Sequence, residues 1–433
     1  MRSRKLMFIA GASMLTVVAG CGGNNGTEGN DNANEGNDNA NVNANANEEN
    51  NAEEAAEISV WAMGEEGNAL GEFVEGFEEE HSNIEVNVEA IPWDNAHDSL
   101  LTAVASGEGP DVLQLGTTWV AEFAGAGAFL DLSEYEDEHD FINHDDFFEG
   151  ALDTTEYDGA TYGVPWYVDT RVLFYRTDLL EEHGYSEAPQ NWEEMLDASR
   201  ELADRGDGMY GYDIDQEDQL VPPIFAWQNG WEFSEEDGAE NFAASEFREA
   251  MEYYHTFFDE ELAQETEGVP IEQGFEEGEK PMFSSGPWMV NILRDEAPDI
   301  EGDWDVAMMP GSEKNASAIG GSHLSVFSES ENVDESLEFI SYMSEPDTQI
   351  DWFNDTNTLP ARQSAWDDEE LQEDEKLAVF GDQLEEAVAP PVLAEWENIA
   401  QDLLSSLERI NREGADLDEE LDSFQEEAEN RLD

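Results

Sequence analysis

Apolar residues along this chain fall into three regimes. From Leu6 to Val18 they run almost unbroken, behind the basic residues Arg2, Arg4 and Lys5. The run is too short to span a bilayer as a mature helix. Small residues follow in Val18-Ala19-Gly20-Cys21, which completes the layout of a secretory signal peptide over residues 1–20. From Gly22 to Glu57 the pattern disappears. This segment is dominated by Asn, Gly, Glu, Asp and Ala, holds no aromatic residue, and cannot bury enough apolar surface to fold. It predicts a disordered tether over residues 21–57.

Periodicity begins abruptly at Ile58. The segment Ile58-Ser59-Val60-Trp61-Ala62 reads as a short strand, and Leu70, Phe73, Val74 and Phe77 share one helix face. Ile84, Val86, Val88 and Ala90 alternate as a strand; Leu100, Leu101 and Val104 mark a helix; Asp111-Val112-Leu113-Gln114-Leu115 is a third strand. Strands alternating with helices predict an α/β lobe with a largely parallel sheet. A second lobe is expected near Asp169, with a strand over 172–175 and helices over 192–203, 247–258 and 275–278. Strand-like segments cover 282–286, 306–309 and 324–327, with a helix beginning at Trp288. From Ser336 the chain reads as mostly helical, ending in an acidic amphipathic helix with Leu417, Leu421 and Phe424 on one face. The stretch from residue 58 to 433 is too long for one typical core, so two lobes are predicted.

Charge changes the picture more than size does. Asp and Glu number 107 against 16 Lys and Arg, a formal net charge of −91. Beyond the leader the lysines are Lys280, Lys314 and Lys376. Such a surface repels nucleic acid and anionic lipid headgroups. Its self-repulsion opposes a compact state unless salt screens it, so the composition predicts a protein adapted to high salt.

The chemistry that is missing narrows the function. The chain lacks a Gly-x-x-x-x-Gly-Lys phosphate loop, a Gly-x-Gly-x-x-Gly after a strand, His-Glu-x-x-His, and a Gly-x-Ser-x-Gly elbow. Cys21 is the single cysteine, so no disulfide is expected within the mature chain, and a cysteine nucleophile or thiolate site is excluded once Cys21 carries lipid. His139 and His144 lie five apart among aspartates, which reads as a solvated acidic loop. Asp213, Asp215 and Asp218 lack the spacing and glycine of a calcium loop. Acids are so abundant that no pair stands out as a glycosidase acid and base. The reading is therefore of no catalytic residue, no metal and no cofactor, with a secreted carbohydrate-active enzyme as the alternative.

What remains is aromatic. Trp93, Trp119 and Trp166 each follow or end a predicted strand, and Tyr167, Trp227, Trp231, Trp288 and Trp352 lie among them in order. Ligands of open α/β sheets bind beyond the carboxyl ends of strands. Flat aromatic faces beside carboxylates suit sugars, because the ring stacks on C–H faces while acids and amides bond the hydroxyls. A tryptophan is as readily a core residue. Arg171 is notable in a chain so poor in cations; it reads either as a ligand contact or as a partner of Asp169 at the lobe junction, and Arg362 poses the same choice.

At these segments the chain resembles a known family. Val60-Trp61-Ala62-Met63-Gly64-Glu65-Glu66-Gly67, Ile91-Pro92-Trp93, the stretch from Gly109 to Trp119, and Tyr162-Gly163-Val164-Pro165-Trp166-Tyr167-Val168-Asp169 carry the likeness. So do Phe283-Ser284-Ser285-Gly286-Pro287-Trp288, Gly320-Gly321-Ser322 and Thr358-Leu359-Pro360-Ala361-Arg362. In order and spacing they resemble sugar-binding extracellular solute-binding proteins of ABC importers, the group that includes maltose- and trehalose-binding proteins. Val18-Ala19-Gly20-Cys21 in turn resembles the lipobox of bacterial lipoproteins, in which the cysteine becomes the lipid-bearing first residue.

The resemblance implies a type II periplasmic-binding-protein-like fold: two α/β lobes, each a mainly parallel sheet flanked by helices, joined by a hinge of crossing strands, with sugar in the cleft. It assigns 58–167 to lobe 1, 168–306 to lobe 2, 307–355 to a return into lobe 1, and 356–433 to C-terminal helices on lobe 2. Glu65 or Glu66 would contact sugar hydroxyls. Trp119, Tyr167, Trp288 and the Gly320-Gly321-Ser322 turn would line the cleft. Asp169 and Arg362 would bond the ligand or close the lobes, and Trp93, Trp166, Trp227 and Arg171 complete the candidate set. The implied partners are a sugar, the permease subunits of an ABC transporter, and a membrane reached through lipid on Cys21, with the folded part a monomer on the outer face of the cell membrane. A receptor of the same fold for a non-sugar solute stays open beside this reading.

Overall fold

The alternating segment 84–91 and the apolar segment around Val60 lie side by side as parallel strands, β1 (Ala56–Met63) and β2 (Ile84–Ile91), with Ala56 opposite Ile84 and Met63 opposite Ile91. They belong to a computed structural model that describes residues 55–432 apart from 137, 143, 266 and 267. The signal segment, Cys21 and the tether through residue 54 lie outside the described residues. Ala56 and Glu57, expected in the tether, instead form the first rungs of β1, because Ile84 and Glu85 supply them with ladder partners.

Strand β3 (Val112–Gly116) lies parallel on the other side of β1. The periodic stretch after β1 is two helices, α1 (Gly64–Phe73) and α2 (Glu75–Glu80), broken at Val74, and α3 (Trp93–Ser106) follows β2. Alternate residues of a strand face opposite ways. Ile58, Val60 and Ala62 accordingly pack with Leu70 and Phe77 on one face, and Met63, Leu113 and Leu115 with Leu100 on the other. Leu101, read as part of the apolar helix face, is exposed.

After the hairpin of β4 (Glu156–Tyr157) and β5 (Ala160–Thr161) comes β6 (Val164–Thr170). A second sheet is antiparallel: β7 (Val172–Arg176) lies between β8 (Met282–Ser285) and β9 (Trp304–Ala307). The chain then returns to the first sheet as β10 (Ser317–Val326), followed by the short strands β11 (Leu359–Pro360) and β12 (Ala387–Val388). The large sheet has the order β11-β6-β10-β3-β1-β2, with β12 also paired to β10. It is not wholly parallel, since β10 runs antiparallel to both β3 and β6. The sequence expectation at 324–327 covers only the end of β10. Its first half, Ser317-Ala318-Ile319-Gly320-Gly321-Ser322, is made largely of small residues and gives no alternating signal.

A single residue, Arg171, separates β6 of the large sheet from β7 of the small one. The Ser317 hydroxyl, on β10, holds it by accepting from the Arg171 N–H at 3.2 Å and donating to the Arg171 carbonyl at 2.8 Å. Behind the small sheet, the helices Val221–Gln228, Ser245–Asp259, Trp396–Glu413 and Leu417–Leu432 share one core built on Phe225, Phe247, Tyr254, Trp396, Leu407 and Phe424. The assignment of 356–433 to lobe 2 is incomplete at its start: Leu359 of β11 sits opposite Val168 in the large sheet, Leu371, Leu377, Phe380 and Leu384 enter a core shared by Val60 and Trp166 of the large sheet and Phe174 and Trp304 of the small one, and the helices from Trp396 onward enter the other core. Among the described residues no helix is long and apolar enough to cross a membrane.

His323, on β10, is buried. Its Nε2 lies 2.9 Å from Thr154 Oγ1, whose own proton is donated to the Ala151 carbonyl, so Nε2 is the protonated nitrogen. Nδ1 has no hydrogen-bond partner. Burial holds the imidazole neutral and pushes its pKa down to about 3. The unfolded chain takes up this proton near pH 6.5, which the native state refuses until near pH 3. The contribution of His323 is therefore fully present above about pH 6.5 and is lost as pH falls toward 3. We expect urea unfolding at pH 6.5 and 4.5 to show wild type losing about 1.4 kcal/mol per pH unit relative to His323→Gln. Parallel pH profiles for the two proteins would exclude this role.

Candidate functional site

Three segments of the first lobe converge where β1 and β3 end. Gly64 has φ +58°, a left-handed conformation that favours glycine, and a Cβ there would meet Trp93 Cδ1 at 2.7 Å. Its bareness lets the Trp93 ring and the Glu66 carboxylate, 3.3 Å from the same point, gather over the end of the strand. Trp93 opens α3 with 39% of its surface exposed, and Trp119, half-buried, meets it edge to face at 5.7 Å.

The crossing strands form the floor. Gln114 of β3 accepts from the Met63 N–H at 2.7 Å and donates to Tyr167 and Ser322, both at 3.0 Å, while Ser322 also donates to the Tyr167 hydroxyl. Tyr167 thus accepts twice and keeps its own proton for another acceptor. Burial first, and the Glu66 charge next, raise its pKa well above the ordinary phenol value, so it is a neutral donor. Two residues along β6, the Asp169 carboxylate covers Gly320, and Gly321 pairs with Val168.

Trp288 forms the wall on the second lobe. It begins the helix Trp288–Glu296 and is 42% exposed, as few large apolar residues here are. Its ring lies so close over Gly286 that a Cβ there would fall 2.1 Å from Cζ3. The Arg171 guanidinium stands 4.9 Å from the ring centroid, a cation–π contact. Arg171 also bonds Asp169 at 2.5 Å and Asp218 at 2.9–3.0 Å. Burial alone opposes its charge, but the two carboxylates outweigh burial and its pKa is raised. Beside Arg171, Asp218 and Trp288 lies a cavity of about 350 Å³ that reaches the Asp213–Lys280 ion pair. Its volume falls within the range of small-molecule sites.

The structure thus gathers Glu66, Trp93, Trp119, Tyr167, Asp169, Arg171, Trp288, Gly321 and Ser322 around the junction of the two sheets. Of Glu65 only the backbone, in the first turn of α1, is described. Three expected residues lie elsewhere. Trp166 is 1% exposed and stacks on Trp352 at 4.9 Å, because a bulge in the β6–β10 pairing turns it into the core. Trp227 is buried in the second-lobe core and borders a separate groove of about 570 Å³ with Trp231 and Tyr157. Arg362, also buried, lies 4.3 Å from the Phe147 ring centroid and donates to the Ser344 carbonyl, so it secures the first lobe instead of reaching the cleft. A larger trough, about 850 Å³, is lined mostly by acids and backbone around Asp204–Tyr210 and Glu260–Glu265, apart from all of these residues.

Sequence reasoning missed Gln114 and Asp218. Gln114 is a buried polar residue inside a strand, which was a usable signal. Asp218 was hidden among 107 acids. Among the described residues no group of three or more His, Asp or Glu is arranged to hold a metal. The site offers stacking faces, carboxylates and neutral donors, which is the equipment for holding a polyhydroxylated solute.

The profile of the family described as bacterial extracellular solute-binding protein matches residues 72–379. The chain belongs to that family. The sugar-binding protein MalE of Xanthomonas citri is 34% identical and superposes with a TM-score of 0.82 over 87% of this chain and 97% of MalE. A galactooligosaccharide-binding protein of Bacillus subtilis is 24% identical over 392 residues, 87% of this chain and 90% of that protein. An arabinooligosaccharide-binding protein of Halalkalibacterium halodurans is 24% identical over 345 residues, 76% of each chain. As an extracellular solute-binding protein of two-lobe fold, the chain carries its candidate cleft where the two sheets are joined.

Proposed function

We propose that this protein is a lipid-anchored receptor that captures a sugar of two or more rings by hinge closure and delivers it to the permease of an ABC transporter. The observation that carries this reading is the exposed Trp288 ring on the second lobe, joined through Arg171 to Asp169 at the junction, with Trp93 and Glu66 gathered at the strand end of the first lobe. A sugar spanning that gap would stack on rings from both lobes and give its hydroxyls to Asp169, Glu66 and Tyr167. Contact with both lobes favours the closed state, because only there are all the contacts made. The sugars named for the relatives support this substrate class. The experiment is a thermal-shift screen against mono-, di- and oligosaccharides in molar salt; a bound sugar raises the midpoint by mass action. If no sugar in the panel moves it, the reading falls.

We place residues 1–20 as the signal peptide, 21 to about 55 as lipidated tether, and the folded part outside the membrane as a monomer. Cys21→Ala is expected to keep sugar binding and lose membrane retention on fractionation. Equal retention would remove the anchor from the proposal.

The ion pairs support a reading of salt adaptation. Of the thirteen Lys and Arg beyond the leader, all but Arg205 have an acidic partner within 4.0 Å among the described residues. Few cations are left to offset the remaining acids, so counter-ions must. The thermal midpoint is expected to rise steadily from dilute buffer to molar salt. A flat profile would exclude the adaptation.

A further inference from the structure

Glu397 stands in the first turn of the helix Trp396–Glu413, whose apolar face is buried in the second-lobe core. One of its carboxylate oxygens accepts from Gln219 Nε2 at 2.7 Å. The other accepts from Thr118 Oγ1, in the turn that follows β3 of the first lobe. Gln219 leads into the helix Val221–Gln228 of the same second-lobe core, so its bond is kept whatever the angle between the lobes. The bond to Thr118 exists only when the lobes are together. Thr118 adjoins Trp119, and Gln219 adjoins Asp218, the partner of Arg171, so each end of the contact is next in sequence to a residue of the candidate site.

We propose that Glu397 is a latch that holds the two lobes closed and sets how often the receptor is closed before any sugar arrives. Two acid-rich lobes repel one another, and that repulsion favours the open state. A hydrogen bond to a charged acceptor opposes it and is worth about a tenfold bias or more in an equilibrium. Gln219 contributes by fixing the carboxylate in advance, so closure need not order it. Because apparent affinity scales with the fraction of molecules competent to bind, the latch adds the same factor to the capture of any ligand. The inference rests on the reading that the lobes hinge, but not on the identity of the solute.

The test is the distance between spin labels at Leu101→Cys on α3 and Glu249→Cys on the helix Ser245–Asp259, both exposed, in a Cys21→Ala background without ligand. Thr118→Val keeps the shape of the side chain and removes the donor; Glu397→Ala removes the acceptor. Each is expected to lower the ratio of closed to open populations about tenfold, and the double variant to lower it no further than either alone. Distances unchanged in both single variants, or additive in the double, would overturn the latch. If Thr118→Val shifts the distances while no sugar moves the wild-type midpoint, the latch stands and the sugar reading fails. If sugar narrows the wild-type distribution while Thr118→Val leaves the ligand-free one unchanged, the latch fails and the sugar reading stands.

Discussion

Trp288→Ala should raise the dissociation constant for the recognised sugar at least about thirtyfold while leaving the protein folded. A tryptophan at the centre of a binding site is typically worth 2 kcal/mol or more, and each 1.4 kcal/mol is a factor of ten. With 42% of its surface exposed, Trp288 contributes little to the core. Trp166→Ala is the contrasting control. That ring is buried against Trp352, and its loss should cost about 3–5 kcal/mol of stability by opening a cavity. Intrinsic fluorescence titration in molar salt, paired with urea unfolding, separates the two effects. A Trp288→Ala protein that binds with wild-type affinity would show that the sugar lies elsewhere.

Arg171→Met should damage both properties at once. The guanidinium lies between Asp169 and Asp218 with little access to solvent. Removing one partner of a buried ion pair typically costs 3–5 kcal/mol, because the charge left behind is uncompensated. Here two carboxylates are left facing one another beneath Trp288, so the platform also loses its support. Arg171→Lys should recover little, since a point charge cannot reach both acids as the planar fork does. Urea midpoints and sugar titrations on the same preparations give the answer. Stability within about 1 kcal/mol of wild type would mean that the two acids are solvated and the pairing is incidental.

Much of the first lobe is legible in the sequence alone. Strands β1, β2 and β3 were visible because each carries large apolar residues in period two or in an unbroken run. The first half of β10 was not, because glycine and serine occupy the positions that pair with Asp169 and Tyr167. Trp288 was legible as an aromatic after a strand and a glycine. Trp166 and Arg362 looked equally good and are not in the cleft. Tyr167, the neighbour of Trp166, does reach the floor of the site, because a bulge in the pairing of β6 with β10 sends the two adjacent rings to opposite faces. Glu397 was out of reach in a chain with so many acids, since only the fold tells one carboxylate from another.

The one-residue connection between β6 and β7 has a mechanical consequence. In a machine with a long handle, the part that senses a load and the part that turns are separate, and each can be adjusted alone. Here the first sheet's strand ends at Thr170, just past Asp169, the second's begins at Val172, and Ser317 ties the intervening Arg171 to the neighbouring crossing strand. A solute that touches Asp169 therefore presses on the axle itself. Selection for a new solute at this point would alter the angle and stiffness of closure in the same step, so changes of specificity should accumulate on the walls, at positions such as Trp93 and Trp119, before they reach the pivot.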